Sequence, residues 1–374
     1  MVSPRSYNKQ VIKRSDRHQA PVLLIKVRCR MASCARPMHG FYTGRLTAKG
    51  GKEMILRSSD VTEMKFVIPR PDGKGDRTVD LVDYVEIPCG QCMICKANQA
   101  RKKAERATAE AATWEHNEVI NLTYNDENLP YNVKPDGTKV PTLRYKDVQD
   151  FKKRLLKHWK KEYGQEGIRF MCACEYGEKH QRPHYHMIMF NFECEDKYDW
   201  GRTKKNSKKY RSPTIEKLWG KGNVTLGDVT PETIQYVANY CLKKFRGKKA
   251  KGIYANLGIE PESVKSSNRK GLGALYYEKH KETYLEHGKC FVGSENGLKT
   301  VTCNKYYDKL LSEDYGDWLL EQIKEKRMQL AQDRERTRAI LSGISIEEQR
   351  ENDERLFLEK IRKAKQRDFE MPGT

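Results

Sequence analysis

Residues Arg182-Pro183-His184-Tyr185-His186-Met187-Ile188-Met189-Phe190 decide how the rest of the chain is read. After Pro183, an apolar run of this length closed by Asn191 fits a buried strand better than a helix. Side chains alternate along a strand, so His184 and His186 project to one side, roughly 7 Å apart at Cα. Tyr185 and Met187 point to the other. That spacing lets two imidazoles reach one divalent metal. The plain alternative is a pair of core histidines. The proline ahead of them and the acidic segment Glu175-Tyr176-Gly177-Glu178 just upstream favour the metal.

Outward from this strand, the totals narrow the class. The chain has 374 residues, 37% apolar and 33% charged, with 72 basic residues against 51 acidic ones and a net charge of +21. So basic a protein is most simply explained by a polyanionic partner, and nucleic acid is the commonest. The opening Met1-Val2-Ser3-Pro4-Arg5 lacks the apolar core of a signal peptide, and no run approaches a membrane span. Eleven cysteines without secretion signals point to a reducing compartment, with thiols free or on metal.

Residues 1–20 read as a disordered basic arm. Residues 21–96 read as a small β-rich unit, with β-like runs at Val22–Val27, Val61–Ile68 and Val79–Ile87. This unit closes on Cys89-Gly90-Gln91-Cys92-Met93-Ile94-Cys95 and leads into a helix-prone basic segment from Lys96 to His116. The C-x-x-C-x-x-C triplet resembles a zinc knuckle, with Cys34 or Cys29 as a fourth thiolate and His39 as another ligand. Buried thiols are the plain alternative. An iron–sulfur site is disfavoured, because no fourth cysteine follows in tight spacing.

From residue 97 to 250 the elements become regular. Glu118–Tyr124 reads as a strand, residues 125–142 as a loop with a Lys134-Pro135-Asp136-Gly137 turn, and residues 145–163 as an amphipathic helix burying Val148, Phe151, Leu155 and Trp159. Ile168–Tyr176 and Pro183–Asn191 are strands, residues 197–211 a very basic loop, and Ile215–Trp219 a short helix. Gly222–Val229 is a further strand, and Thr230-Pro231-Glu232 caps and opens another helix. The order β-α-β-β-α-β-α predicts an α+β fold, an antiparallel sheet of ferredoxin-like or split βαβ type carrying helices.

The helix from Pro231 holds the second chemical signal, Tyr236-Val237-Ala238-Asn239-Tyr240-Cys241-Leu242-Lys243-Lys244. At about 100° per residue, Tyr236, Tyr240 and Lys243 share one face. Alone, two such tyrosines are more often half-buried residues covering a sheet. Beside an H-x-H strand in a strongly basic protein, they are candidate reactive groups.

Three elements in order, Leu122-Thr123-Tyr124-Asn125-Asp126, His184-Tyr185-His186 and Tyr236-x-x-x-Tyr240-x-x-Lys243, resemble the motifs of rolling-circle replication initiators of the HUH endonuclease superfamily. The wording is most similar to initiators of small single-stranded DNA bacteriophages, the Microviridae, and among these the gokushovirus branch. Pro88-Cys89-Gly90-Gln91-Cys92-x-x-Cys95, Gly271-Leu272-Gly273, Tyr277-Glu278-Lys279-His280 and Tyr306-Tyr307-Asp308-Lys309-Leu310 extend the resemblance over about residues 29–330. Asn239 departs from it, standing where the two-tyrosine pattern often carries lysine; Lys243 and Lys244 remain.

The resemblance implies metal-dependent nicking and rejoining of single-stranded DNA at a viral origin, through a 5′-phosphotyrosine that leaves a 3′-OH primer. It further implies host replication helicase and polymerase as partners, and work in the bacterial cytoplasm. The chemistry also suits the residues themselves. A phenol with an ordinary pKa of about 10 must attack a phosphate that repels nucleophiles. A Lewis-acidic cation neutralises that repulsion, and two imidazoles with one carboxylate suit Mn²⁺ or Mg²⁺. Glu175 is the first choice for the carboxylate and Glu178 the second. Tyr236 and Tyr240 are the nucleophiles, Lys243 stabilises charge, and Arg182, Lys204, Lys205 and Lys244 are candidate DNA contacts. No phosphate-cradling G-x-x-x-x-G-K-[ST] loop is present, in keeping with an ester that stores the energy of the broken bond.

Residues 251–310 interleave tyrosine, glycine and lysine as an accessory DNA-contacting region would. Residues 311–374 are a charged helical tail broken at Ser342-Gly343, its second helix opened by a Ser345-x-x-Glu348 capping box. The rival readings are an HUH transposase or relaxase, and a non-catalytic zinc-stabilised nucleic-acid-binding protein. A histidine-triad hydrolase is disfavoured by Ile188, which stands where a third histidine would be.

Overall fold

The computed structural model describes residues 27–29, 34, 36–47, 52–57, 65–69, 75–80, 83–177, 180–203, 207–242, 245, 249–294, 297–302 and 304–369. The arm at 1–20, Glu178, Lys204, Lys205, Lys243 and Lys244 lie outside the described residues. The chain divides into two compact units, one from residues 1–28 and 39–86 and the other from residues 29–38 and 87–374.

The first unit is β-rich. Strands β1 (Val27–Cys29), β2 (Met38–Leu46), β3 (Lys52–Arg57) and β6 (Asp83–Ile87) form a four-stranded sheet in the order β1-β6-β2-β3. β4 (Lys65–Pro69) and β5 (Asp76–Asp80) pair as a separate ribbon. Phe41 and Val85 are buried, and Thr43 donates a 2.7 Å hydrogen bond to Glu53.

The second unit is built on a seven-stranded antiparallel sheet. In chain order it opens with α1 (Met93–Ala111), β7 (Asn117–Thr123), the short hairpin of β8 (Tyr131–Val133) and β9 (Lys139–Pro141), and α2 (Tyr145–Tyr163). Next come β10 (Arg169–Tyr176), β11 (Pro183–Phe190), β12 (Tyr198–Arg202), β13 (Lys208–Arg211), α3 (Pro213–Trp219), β14 (Val224–Asp228) and α4 (Pro231–Asn239). After these run α5 (Ala250–Leu257), β15 (Ser263–Ser266), α6 (Ala274–His287), the β16–β17 hairpin (Cys290–Ser294 and Gly297–Val301), α7 (Asn304–Tyr315), α8 (Asp317–Ser342) and α9 (Ile346–Phe369). The sheet order is β12-β13-β14-β7-β11-β10-β15. The protein is thus a mixed α+β protein with a large antiparallel sheet, and the histidine strand β11 lies inside it.

Alternation sorts each central strand between two cores. Ile120 and Leu122 of β7, Cys172 and Cys174 of β10, and Tyr185, Met187 and Met189 of β11 face one side. There α2 covers them with Val148, Phe151, Leu155 and Trp159, the stripe expected from its period, and α3 adds Ile215 and Trp219. Truncating a fully buried aromatic such as Phe151 to alanine costs about 3–5 kcal/mol in such a core. The indole N–H groups of Trp159 and Trp219 donate to the carbonyls of Glu193 and Thr123, at 3.1 and 2.8 Å. The opposite face presents Val119, Met171, Ala173, Ile188 and Phe190 to Ala104 and Ala107 of α1 and to Ile234, Val237 and Ala238 of α4.

Two local expectations are corrected. The basic stretch 197–211 is not a loop but the hairpin β12–β13, which extends the sheet by pairing through β13 with β14. All of β12 is exposed, so it needs no apolar alternation and its charges can stay solvated. The helix opened by Thr230 does not run on as α-helix past the second tyrosine. It ends at Asn239, and Tyr240–Leu242 tightens into a 3₁₀ turn, a common way for a helix to finish. Its start is as expected: Thr230 and Thr233 cap each other reciprocally, with Pro231 in the first turn. The capping box at Ser345 is also present, its hydroxyl accepting from the Glu348 N–H at 3.1 Å.

Gly222 sets how closely β14 approaches β7. Its φ is +147°, and a Cβ there would lie 2.4 Å from the Asn125 nitrogen and 2.5 Å from the Thr123 oxygen. Only glycine fits.

Candidate active site

The pairing register brings the acidic strand to the histidines. β10 and β11 run antiparallel with Glu175 directly opposite His184 and Ala173 opposite His186. On the other flank, β7 sets Thr123 opposite His184 and Asn121 opposite His186. Cross-strand partners share a face, so Glu175, Asn121 and both imidazoles emerge together on the side covered by α4.

Glu175 is buried, with 3% of its surface exposed, and its Oε1 lies 2.6 Å from His184 Nε2 and 3.3 Å from His186 Nε2. The far nitrogens fix the ring orientation. His184 Nδ1 meets the Arg182 carbonyl at 3.1 Å, and His186 Nδ1 meets Asn121 Oδ1 at 2.6 Å. Asn121 Nδ2 in turn donates to Thr225 at 3.3 Å. Carbonyl oxygens only accept, so each Nδ1 carries the proton and each neutral ring keeps its Nε2 lone pair for the Glu175 oxygen. Two lone pairs aimed at a buried carboxylate call for a cation between them. One ligand atom from each of the three residues lies within 4.8 Å of the others, and this donor set suits a divalent metal.

The tyrosines close the site from above. Tyr240 stacks on His186, with ring centroids 4.7 Å apart and planes 6° from parallel. Tyr236 meets the same imidazole edge-on, at 5.7 Å and 83°. The two phenol hydroxyls are hydrogen-bonded to each other. Their exposure differs sharply: Tyr240 is 7% exposed and Tyr236 54%. Burial, and then the negative charge of Glu175, push the Tyr240 phenol far above its ordinary pKa.

Beneath the histidines, a buried network holds the strand from its other face. Tyr185 is fully buried, its hydroxyl 3.0 Å from that of Tyr124, which donates to Asp147 at 2.8 Å. The Arg144 backbone N–H donates to the Tyr185 hydroxyl at 2.9 Å. Arg182, read as a DNA contact, is engaged with the protein itself, donating to Asp126 at 2.6 Å and to the Tyr124 carbonyl at 3.0 Å.

Sequence reasoning missed Asn121. The signal was present: along the β7 strand, polar Asn121 and Thr123 alternate with Ile120 and Leu122, so the polar pair belongs to one face. The cysteines form a second cluster, in which Cys34, Cys89, Cys92 and Cys95 come together. The side chain of Cys29 lies outside the described residues, and His39 is not a member of the cluster.

Comparison with known proteins agrees with this arrangement. Residues 117–245, which span β7 to the end of the tyrosine turn, match the family described as Replication-associated protein ORF2. Replication-associated protein ORF2 of Spiroplasma virus 4 is 31% identical over 261 residues, covering 69% of this chain and 78% of that protein. Replication-associated protein VP4 of Bdellovibrio phage phiMH2K is 33% identical over 224 residues, 59% of this chain and 66% of its own length. Replication-associated protein ORF4 of Chlamydia phage 1 is 30% identical over 258 residues, 63% and 59% of the two chains. No solved structure matches. By the extent of these matches, the chain belongs to the family of replication-associated proteins of small single-stranded DNA phages.

Proposed function

We propose that the protein initiates rolling-circle replication by nicking and rejoining single-stranded DNA at the viral origin, with Tyr236 and Tyr240 as nucleophiles. The observation that carries this reading is the convergence of Glu175, His184 and His186 beneath two phenols that both touch the His186 ring. The sheet supports it as well. Among β7, β10, β11 and β14, the spatial order is fourth, first, third, second in chain sequence, with α2 and α3 on one face. That is the ferredoxin-like arrangement expected of an HUH endonuclease.

Glu175, His184 and His186 would hold Mn²⁺ or Mg²⁺. A divalent cation bound there supplies Lewis-acid neutralisation of the scissile phosphate. The chain's own residues do the rest. Asn121 and the Arg182 carbonyl keep both Nε2 atoms directed at the site. Tyr236, the more exposed phenol, attacks phosphorus with its oxygen; the bond from phosphorus to the 3′-oxygen breaks, and the proton lost by the phenol is matched by the one gained by the departing 3′-oxygen. The 5′ end stays on the protein as a phosphotyrosine, and the 3′-OH is left as a primer for a host polymerase, with a host helicase opening the duplex ahead.

The strand has a surface to lie on. Trp200 and Tyr198 are exposed on β12, and the Arg211 guanidinium sits 4.6 Å from the centre of the Trp200 ring. Aromatic rings beside fixed cations suit stacked bases and their phosphates. Among the described residues no helix is long and apolar enough to cross a membrane.

Incubating the protein with single-stranded oligonucleotides tiled across the genome that encodes it, with and without Mn²⁺, tests the reading. A band that migrates as protein plus DNA on a denaturing gel, present only with the cation, is expected. Its absence with every oligonucleotide and every divalent cation refutes the nickase.

A further inference from the structure

We propose that Cys34, Cys89, Cys92 and Cys95 form a tetrahedral thiolate site for a structural zinc ion, and that this ion anchors the helix against which the tyrosine helix packs. Zinc is bound by thiolates at about 2.3 Å, so sulfurs at the corners of its tetrahedron stand about 3.8 Å apart. Here Cys34 Sγ and Cys92 Sγ are 3.8 Å apart, and Cys89 Sγ and Cys95 Sγ 4.0 Å apart. All four sulfurs lie within 4.8 Å of one another. A disulfide needs about 2.05 Å, so the four are not arranged as two covalent pairs.

The backbone is shaped for thiolates. The Cys92 N–H points at Cys89 Sγ from 3.3 Å, and the Cys95 N–H at Cys92 Sγ from 3.4 Å. Gly90, at φ +72°, allows the tight turn between the first two ligands. The four thiols form a cluster of their own, Cys34 and Cys95 buried with Cys89 and Cys92 packed against them. Four small sulfur side chains bury too little apolar surface to hold this turn closed, whereas four metal–sulfur bonds hold it outright.

Its position gives the ion a role. Cys92 is the N-cap of α1, and Cys95 lies in that helix's first turn. One residue on, Lys96 Nζ donates to the Leu242 carbonyl at 3.4 Å, at the end of the turn that carries Tyr240. Further along α1, Ala104 and Ala107 pack on Ile234, Val237 and Ala238 of α4. A tethered start to α1 therefore fixes the platform beneath both tyrosines. The cysteines touch no reacting atom; they are positioning residues.

The test is metal analysis of the purified full-length protein, which does not depend on cleavage. About one zinc per chain is expected, kept in His186→Ala and lost in Cys92→Ser. Because Cys92→Ser could simply misfold, the wild-type protein exchanged with Co²⁺ gives an independent reading. Intense sulfur-to-cobalt charge-transfer absorption with tetrahedral d–d bands is expected, and must persist in His186→Ala. Zinc that stays in Cys92→Ser but leaves in His186→Ala overturns the proposal, as does iron in place of zinc, or a metal-free protein without the cobalt–thiolate band.

Discussion

Tyr240 lies flat on the imidazole of His186, 4.7 Å from ring to ring, so the residue proposed to hold the metal also sets the height of a phenol above it. The chemistry is thereby tied to a single strand and a single helical turn. His186→Ala should remove both supports. Adduct formation should fall by about 100-fold or more, the scale seen when one preorganised transition-state contact is lost. Affinity for single-stranded DNA should change little, because dispersed lysines and arginines supply most of it. Filter binding and denaturing gels on the same preparation separate the two. Chelation by EDTA should likewise abolish the adduct, and added Mn²⁺ restore it.

Asn121 offers a subtler test, since it touches the metal site only through His186 Nδ1. Asn121→Ala should weaken the apparent Mn²⁺ affinity in cleavage by about 10–100-fold, with cleavage recovering at saturating cation. Asn121→Asp, which keeps an acceptor oxygen, should recover most of the affinity. Titrating Mn²⁺ against adduct yield for the three proteins measures this.

The tyrosines should not be equivalent. Tyr236 is half exposed and Tyr240 buried, so Tyr236→Phe should keep less than about a tenth of the first-cleavage rate, equivalent to about 1.4 kcal/mol. Tyr240→Phe should cleave a short oligonucleotide well. Both should fail to release unit-length circles, a reaction that needs a second attack while the first phenol is still esterified. The double variant should form no adduct. If one single variant loses all cleavage and the other makes circles like the wild type, the enzyme uses one tyrosine.

Stability should hinge on a polar knot under α1. Glu110 is fully buried and accepts from Arg169 at 2.6 Å, Trp114 at 3.0 Å and the Gly273 N–H at 2.7 Å. Glu110→Ala leaves the Arg169 charge without its partner and should destabilise by about 3–5 kcal/mol, read from urea unfolding.

Legibility in the sequence followed apolar patterning. The helix 145–163 could be placed end to end because Val148, Phe151, Leu155 and Trp159 mark its buried stripe. The histidine strand was legible because Pro183 and Asn191 bracket an unbroken run. The β12–β13 hairpin was not, since a strand exposed along its whole length carries no alternation to find. Nor was β15, whose Ser-Val-Lys-Ser has only its pairing with β10 to define it. In the site, Glu175 was found because acid and histidine are recognisable metal ligands. Asn121 was missed because its role depends on a register between strands 65 residues apart in the chain, the separation of Asn121 and His186.

The most direct measurement is the chemical identity of the protein–DNA link. The adduct formed with Mn²⁺ would be trimmed with nuclease, digested with trypsin and sequenced by mass spectrometry. A 5′-nucleotide esterified to Tyr236 or Tyr240, with a free 3′-OH on the other DNA fragment, is the result predicted for this site. A link to another residue, a link through a 3′-phosphate, or cleavage with no covalent species would contradict it.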